Sequence, residues 1–197
     1  MENDTRSKLI EIATELFATK GFAAVSIREL TVAAQVNVSA ISYYFKGKGG
    51  LYRAVLKEQL APVLQVLELA KDHDSLSPTE RLSLYANRIM HIHLQRPFLS
   101  HFIHSEIHYP TGHGDSIIEN HISQVHQFIE TTLQEGVANG DFRVDLNITY
   151  SAISLAGIMN FYFISKPLYQ KFIYFPENAN SEYMNHAFQI YLRGIMN

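Results

Sequence analysis

An all-α fold follows from three properties of this chain of 197 residues. Apolar residues recur at helical spacing in every long segment, and no run alternates with the period of two that a half-buried strand requires. Ser26 with Glu29, and Ser77 with Glu80, have the capping-box spacing, in which serine and glutamate satisfy N–H groups that a first helical turn leaves unpaired. Gly21, Gly47 and Asn139-Gly140 stop three of the periodic runs.

Taken in order, the first helix is expected over Asp4–Lys20, with Leu9, Ile10, Ala13, Leu16 and Phe17 on one face. The second, Ile27–Ala34, follows the Ser26 cap, and Gln35-Val36-Asn37 reads as a turn. The third, Val38–Tyr44, ends near Gly47. The fourth, Lys48–Lys71, repeats Leu56, Leu60, Val63, Leu67 and Ala70; Pro62 removes a backbone donor within it and is expected to kink it. Ser77 and Pro78 open a fifth helix that runs to Leu94, and Pro97 opens a sixth that runs through Glu106. After a loop over Tyr109–Gly114, Ile117, Ile118, His121, Ile122, Val125, Phe128, Ile129 and Leu133 mark a long seventh. Asp145 or Asn147 caps an eighth, to Ser165; a loop with Pro167 and Pro176 precedes a last helix, Ser181–Ile195. The result is about nine helices in two parts, a head over 1–50 and a helical body over 51–197.

Two short helices around a three-residue turn make a helix-turn-helix over about residues 27–46, a motif whose second helix enters a DNA major groove. The face so offered is Ser39, Ala40, Ser42, Tyr43 and Tyr44, with small residues for close approach and hydroxyls for phosphates; Lys46 and Lys48 add charge beside it. The same residues also fit two small helices of an ordinary bundle, with the aromatics in its core.

Charge favours the first reading. The net charge is −3, yet residues 1–57 hold eight basic and five acidic side chains, leaving eight and fourteen for the remainder. Phosphate-seeking charge thus concentrates at the N-terminal end. The chain has no cysteine, which excludes disulfides and thiolate metal sites. The acidic, amphipathic start does not read as a signal peptide, and the apolar stretch Ala152–Ile164 is too short to span a bilayer, so a cytoplasmic chain without membrane contact is expected. Gly-x-Ser-x-Gly, His-Glu-x-x-His and Walker-type sequences are absent, and Lys46-Gly47-Lys48-Gly49-Gly50 lacks a preceding strand. Neither an enzyme nor a cofactor is expected.

Arg6, Ile10, Ala13, Leu16-Phe17, Gly21-Phe22, Ser26-Ile27-Arg28-Glu29-Leu30, Ala34, Val36, Ile41, Phe45, Lys48 and Leu51 together resemble the TetR family of transcriptional regulators, over about the first quarter of the chain. Thr31, Gln35 and Gly49 depart from the family pattern; the last two stand where a turn glycine and a glutamate are usual. The resemblance implies a homodimeric repressor on a palindromic DNA operator, released by a small-molecule effector. On this reading Ser39, Ala40 and Ser42 meet base edges, while Ser26, Arg28, Tyr43, Tyr44 and Lys48 hold phosphates.

For the body, the eighth helix is apolar nearly all round, so it must be covered on more than one side. It is either a central core helix or, with the ninth, a dimer interface of Ser151, Ile153, Leu155, Ile158, Phe188, Tyr191 and Ile195. Phe98, Phe102, Tyr109, Phe128, Phe161 and Tyr162 suit either a core or the effector pocket that the resemblance implies. His101, His104 and His108 share one helical face, which leaves a metal-sensing regulator of the same fold as an alternative, beside a helical protein-interaction module that does not bind DNA.

Overall fold

The computed structural model describes residues 2–71 and 76–197. Nine α-helices stand among them: α1 Glu2–Lys20, α2 Ile27–Ala34, α3 Ser39–Phe45, α4 Lys48–Lys71, α5 Pro78–Gln95, α6 Leu99–His108, α7 Asp115–Asn139, α8 Ile148–Tyr169 and α9 Ala179–Ile195. No strand occurs among the described residues; one isolated bridge pairs Phe142 with Met196. The all-α expectation holds.

Local chemistry explains most helix ends. The Ser77–Glu80 capping box forms in full, with Glu80 Oε2 accepting from the Ser77 N–H at 2.8 Å. At α2 only half of the expected box forms: Ser26 Oγ accepts from the Glu29 N–H at 3.1 Å, while the Glu29 carboxylate turns to Lys20. Asn147, not Asp145, caps α8 by accepting from the Tyr150 N–H. α8 continues past the expected end at Ser165 and through Pro167, because the Gln170 and Ile173 N–H groups still find the carbonyls of Lys166 and Tyr169. At 22 residues it is also longer than the apolar stretch read from sequence, and by length and composition it is apolar enough to cross a bilayer.

The chain forms two compact units, 1–61 with 98–120, and 62–97 with 121–197. The unit that holds the helix-turn-helix is therefore larger than the head expected over 1–50. Leu51, Tyr52, Val55 and Leu56 of α4 and Phe102 of α6 belong to the same buried cluster as Leu9, Phe17, Leu30 and Ile41. A buried hydrogen bond, Tyr52 Oη to Glu106 Oε1 at 2.6 Å, ties α4 to α6; burial, and then the carboxylate itself, raise the Tyr52 phenol far above its ordinary pKa.

In the second unit α9 packs on α5 and α8. Leu82, Tyr85, Phe128, Ile129, Leu133, Leu155 and Met159 are buried there. Gly136 is required in α7, since a Cβ at that position would lie 2.2 Å from the Phe142 ring. Two buried histidines also sit in this unit. His93 shares a 3.0 Å hydrogen bond with Asn160 and stacks on Phe163, whereas His121 Nδ1 has no partner among the described residues.

Gln35 occupies the left-handed region, φ 53 and ψ 46, so the turn demands a conformation that costs a non-glycine residue about 1 kcal/mol. Gln35→Gly is expected to raise stability by about that amount, read from the denaturation midpoint; a lower midpoint would show that the side chain supports the turn. Burial pushes His93 and His121 down to about 4, so both stay neutral in the folded chain while the unfolded chain takes up protons below about pH 6.5. Their contribution is fully present above that pH and is lost as pH falls toward 4, by up to about 1.4 kcal/mol per pH unit for each histidine. Replacing His121 with Leu is expected to flatten the fall in thermal midpoint between pH 7 and 5; an unaltered fall would count against it.

Candidate nucleic-acid interface

Seven residues are too few to hold a helix in water, and α3 exists because Ile41 and Phe45 are buried beneath it. That side fixes which residues face outward. Ser39, Ser42 and Tyr43 are exposed, as are Ser26 and Arg28 at the start of α2. Ala40 is half-buried and packs toward the head's core, so the structure gives its methyl less freedom to meet a base than the sequence reading assumed. Tyr44 is half-buried, edge-on to Tyr43 with centroids 4.8 Å apart.

The turn before α3 is held by side chains as well as backbone. Asn37 Oδ1 accepts from both the Ser39 N–H (2.9 Å) and the Ser39 hydroxyl (2.8 Å). The Ser39 hydroxyl proton is thereby committed, and its oxygen faces outward as an acceptor. The Val36 N–H reaches the Thr31 carbonyl at 3.0 Å, closing α2. Thr31, one of the departures from the family pattern, is buried with its hydroxyl bonded to the Ile27 carbonyl of its own helix.

Close approach between α3 and α4 depends on Gly50, where a Cβ would lie 1.7 Å from the Phe45 carbonyl oxygen. Gly49 has a parallel explanation: a Cβ there would meet the His113 ring at 2.8 Å, so the loop before α7 occupies the space that the usual glutamate needs. His113 in turn lies edge-on to Phe22, with centroids 5.0 Å apart.

Lys48 differs from expectation. Its ammonium donates to the Phe22 carbonyl at 2.9 Å and the Val25 carbonyl at 2.8 Å, and sits 4.4 Å from the Phe22 ring centroid. Two of its three N–H groups therefore brace the loop between α1 and α2, which leaves one for other acceptors. The sequence showed the positive charge but not these acceptors, which lie more than twenty residues away.

In the body, four of the seven expected interface residues are internal: Leu155, Phe188, Tyr191 and Ile195 are buried within the second unit, and the Tyr191 hydroxyl donates to the Ser151 carbonyl. Of the rest, Ser151 and Ile158 are half-buried and Ile153 is exposed. Because α8 is apolar all round, sequence periodicity did not reveal which face turns inward. Ala152, Leu155, Met159 and Tyr162 do so, and Tyr150 (69% exposed), Ile153 (57%) and Phe161 (59%) form the outer stripe, joined by Ser154 and Gly157.

The six expected pocket aromatics divide between the two units. Phe98 and Phe102 pack in the first unit's core, while Tyr109 and Phe161 are exposed. Phe128 lies against Tyr85, and Tyr162 stacks on Tyr183 at 4.1 Å. The His104 and His108 rings approach to 4.3 Å, but no group of three metal-donor side chains is assembled among the described residues. Burial, and then the charge of His104, lower the His101 pKa.

A capped helix, a left-handed turn and a short second helix with a polar outer face define a helix-turn-helix DNA-binding regulator. Residues 9–55 match the family described as bacterial regulatory proteins, tetR family, and residues 75–163 match the tetracyclin repressor-like C-terminal domain. The chain belongs to the TetR family of transcriptional regulators. It is 33% identical over 138 residues to YttP of Bacillus subtilis, a probable HTH-type transcriptional regulator, in a match that covers 69% of this chain and 66% of that one. It is 22% identical over 199 residues to the HTH-type transcriptional repressor NicS of Pseudomonas putida, covering 97% and 92%. The ketosteroid transcriptional regulator KstR2 of Mycobacterium tuberculosis has the same fold, with a TM-score of 0.78 at 20% identity over 98% of this chain and 95% of that one.

Lys48→Met keeps the aliphatic stem and removes the ammonium. It is expected to destabilise the protein by about 1–2 kcal/mol, the low end for charge-assisted bonds at a half-exposed site. The denaturation midpoint without DNA checks this; an unshifted midpoint would show that these two bonds do not brace the fold.

Proposed function

We propose that this chain is a homodimeric repressor that binds a palindromic DNA operator in the cytoplasm and is released by a small-molecule effector held in the helical body. It acts by binding rather than by catalysis. The observation that carries the reading is the polar outer face of α3, Ser39, Ser42 and Tyr43, on a helix whose opposite face is fixed in a core. Ser39 and Ser42 meet base edges, with Ala40 in a lesser role. Ser26, Arg28, Tyr43, Tyr44 and the remaining N–H of Lys48 hold phosphates, which set register without specifying sequence.

One recognition helix of this length reads few base pairs, so two heads about 34–36 Å apart are needed to read two half-sites on one face of the duplex. The outer stripe of α8, Tyr150, Ile153 and Phe161 with Ser154 and Gly157 between them, supports self-association there: it is apolar, has room for a second helix, and lies on a helix whose other face is already in use. Ile190 of α9 is a further exposed apolar residue for the same interface. The effector is assigned to the second unit, whose interior is built on aromatic pairs such as Phe128 with Tyr85 and Tyr162 with Tyr183. By linkage, an effector that weakens operator binding must itself bind less tightly to the operator-bound protein.

Selection of genomic fragments retained by the purified protein tests the whole reading, and a shared inverted repeat is the expected outcome. Phe161→Glu is expected to yield folded monomers in analytical ultracentrifugation and to lose most operator affinity. A variant that stays dimeric and binds normally places the interface elsewhere.

A further inference from the structure

We propose that a basic groove on the head carries the DNA backbone beyond the stretch read by α3. The groove, about 600 Å³ in volume, is lined by Arg6 of α1, Tyr44 and Phe45 of α3, Lys46 after it, and Gly50, Arg53, Ala54, Lys57 and Glu58 of α4. Four cations thus face one carboxylate. Arg6, Lys46, Arg53 and Lys57 are all exposed, and none takes part in an ion pair among the described residues. Unneutralised like charges around one concavity repel each other and attract a polyanion.

The groove is also built, not merely charged. Arg6 is held 5.5 Å above the Phe45 ring, which orients its guanidinium into the groove wall. Lys46 takes a left-handed conformation at the end of α3, φ 62, and its backbone N–H is tied to the Ser42 carbonyl at 3.2 Å. Arg53 and Lys57 are four residues apart and share one face of α4.

Position identifies the occupant. Tyr44, a phosphate contact on the DNA-binding reading, forms part of the lining, so a strand held at Tyr44 continues into the groove. From Gly50 to Lys57 the helix rises about 10 Å, the axial length of about three nucleotides of one strand. These contacts are independent of sequence, so they add to affinity and register but not to discrimination. The proposal rests on the DNA-binding reading of the head and extends it to residues outside the helix-turn-helix.

The test measures how the affinity for a random-sequence duplex of about three helical turns (~30 base pairs) depends on salt. Arg53→Gln with Lys57→Gln is expected to lower the slope of log affinity against log salt by about 1.8, roughly 0.9 for each contact. Affinity lost between about 50 and 200 mM salt should shrink by about tenfold relative to the unsubstituted protein. The charge-conserving pair Arg53→Lys with Lys57→Arg should keep the original slope. A neutral pair with an unchanged slope overturns the proposal, as does a charge-conserving pair that loses as much as the neutral one. An unsubstituted protein with no salt-dependent affinity would instead refute the DNA-binding reading itself.

Discussion

The seven residues of α3 depend on what lies beneath them. An isolated helix of that length melts in water, because nucleation fixes several residues for very few hydrogen bonds. Here Ile41 and Phe45 are locked into a cluster with Leu9, Phe17, Leu30 and Leu51, and Gly50 lets α4 approach within a distance that no side chain would permit. The outward residues are therefore free to be polar and small, since they contribute little to holding the helix. Stability rests on one face of this short element, and the polar outer face proposed to meet DNA is possible only because that first face is complete.

Much of this was legible in the amino-acid order. Ser77, Pro78 and Glu80 announce a helix start because every group involved lies within one turn, and the structure forms all of those bonds. Gln35 was legible as a turn residue, at a position where the resembling family usually has glycine, and the structure places it in the left-handed region. Lys48 was not legible. Its acceptors, the Phe22 and Val25 carbonyls, are near it only after the head has folded. Glu29 illustrates the same limit, having a local partner by pattern and choosing Lys20 instead.

The body failed differently. A helix with a polar face tells the reader which way it points; α8 has none, so Leu155 and Ile153 look alike in sequence and lie on opposite sides in space. The same ambiguity affects the aromatics, where Phe102 and Phe128 differ only in which core they enter. The buried histidines were equally hidden, because imidazole is common on both surfaces and interiors and only the fold shows that His93 and His121 must remain uncharged.

Between its two units the chain does not pass once. It leaves the first after Ala61, comes back at Phe98, and leaves again after Asn120. Phe102 and Glu106, contributed on the return, complete a hydrophobic centre begun by α1 to α4. The helix-turn-helix is thus not a detachable cassette. A chimera spliced near residue 50 would separate Phe17 from Tyr52, and Leu9, Leu30 and Ile41 from the Phe102 that shares their cluster, so any lineage that exchanges heads must exchange the sixth helix with them or rebuild the contacts it supplied.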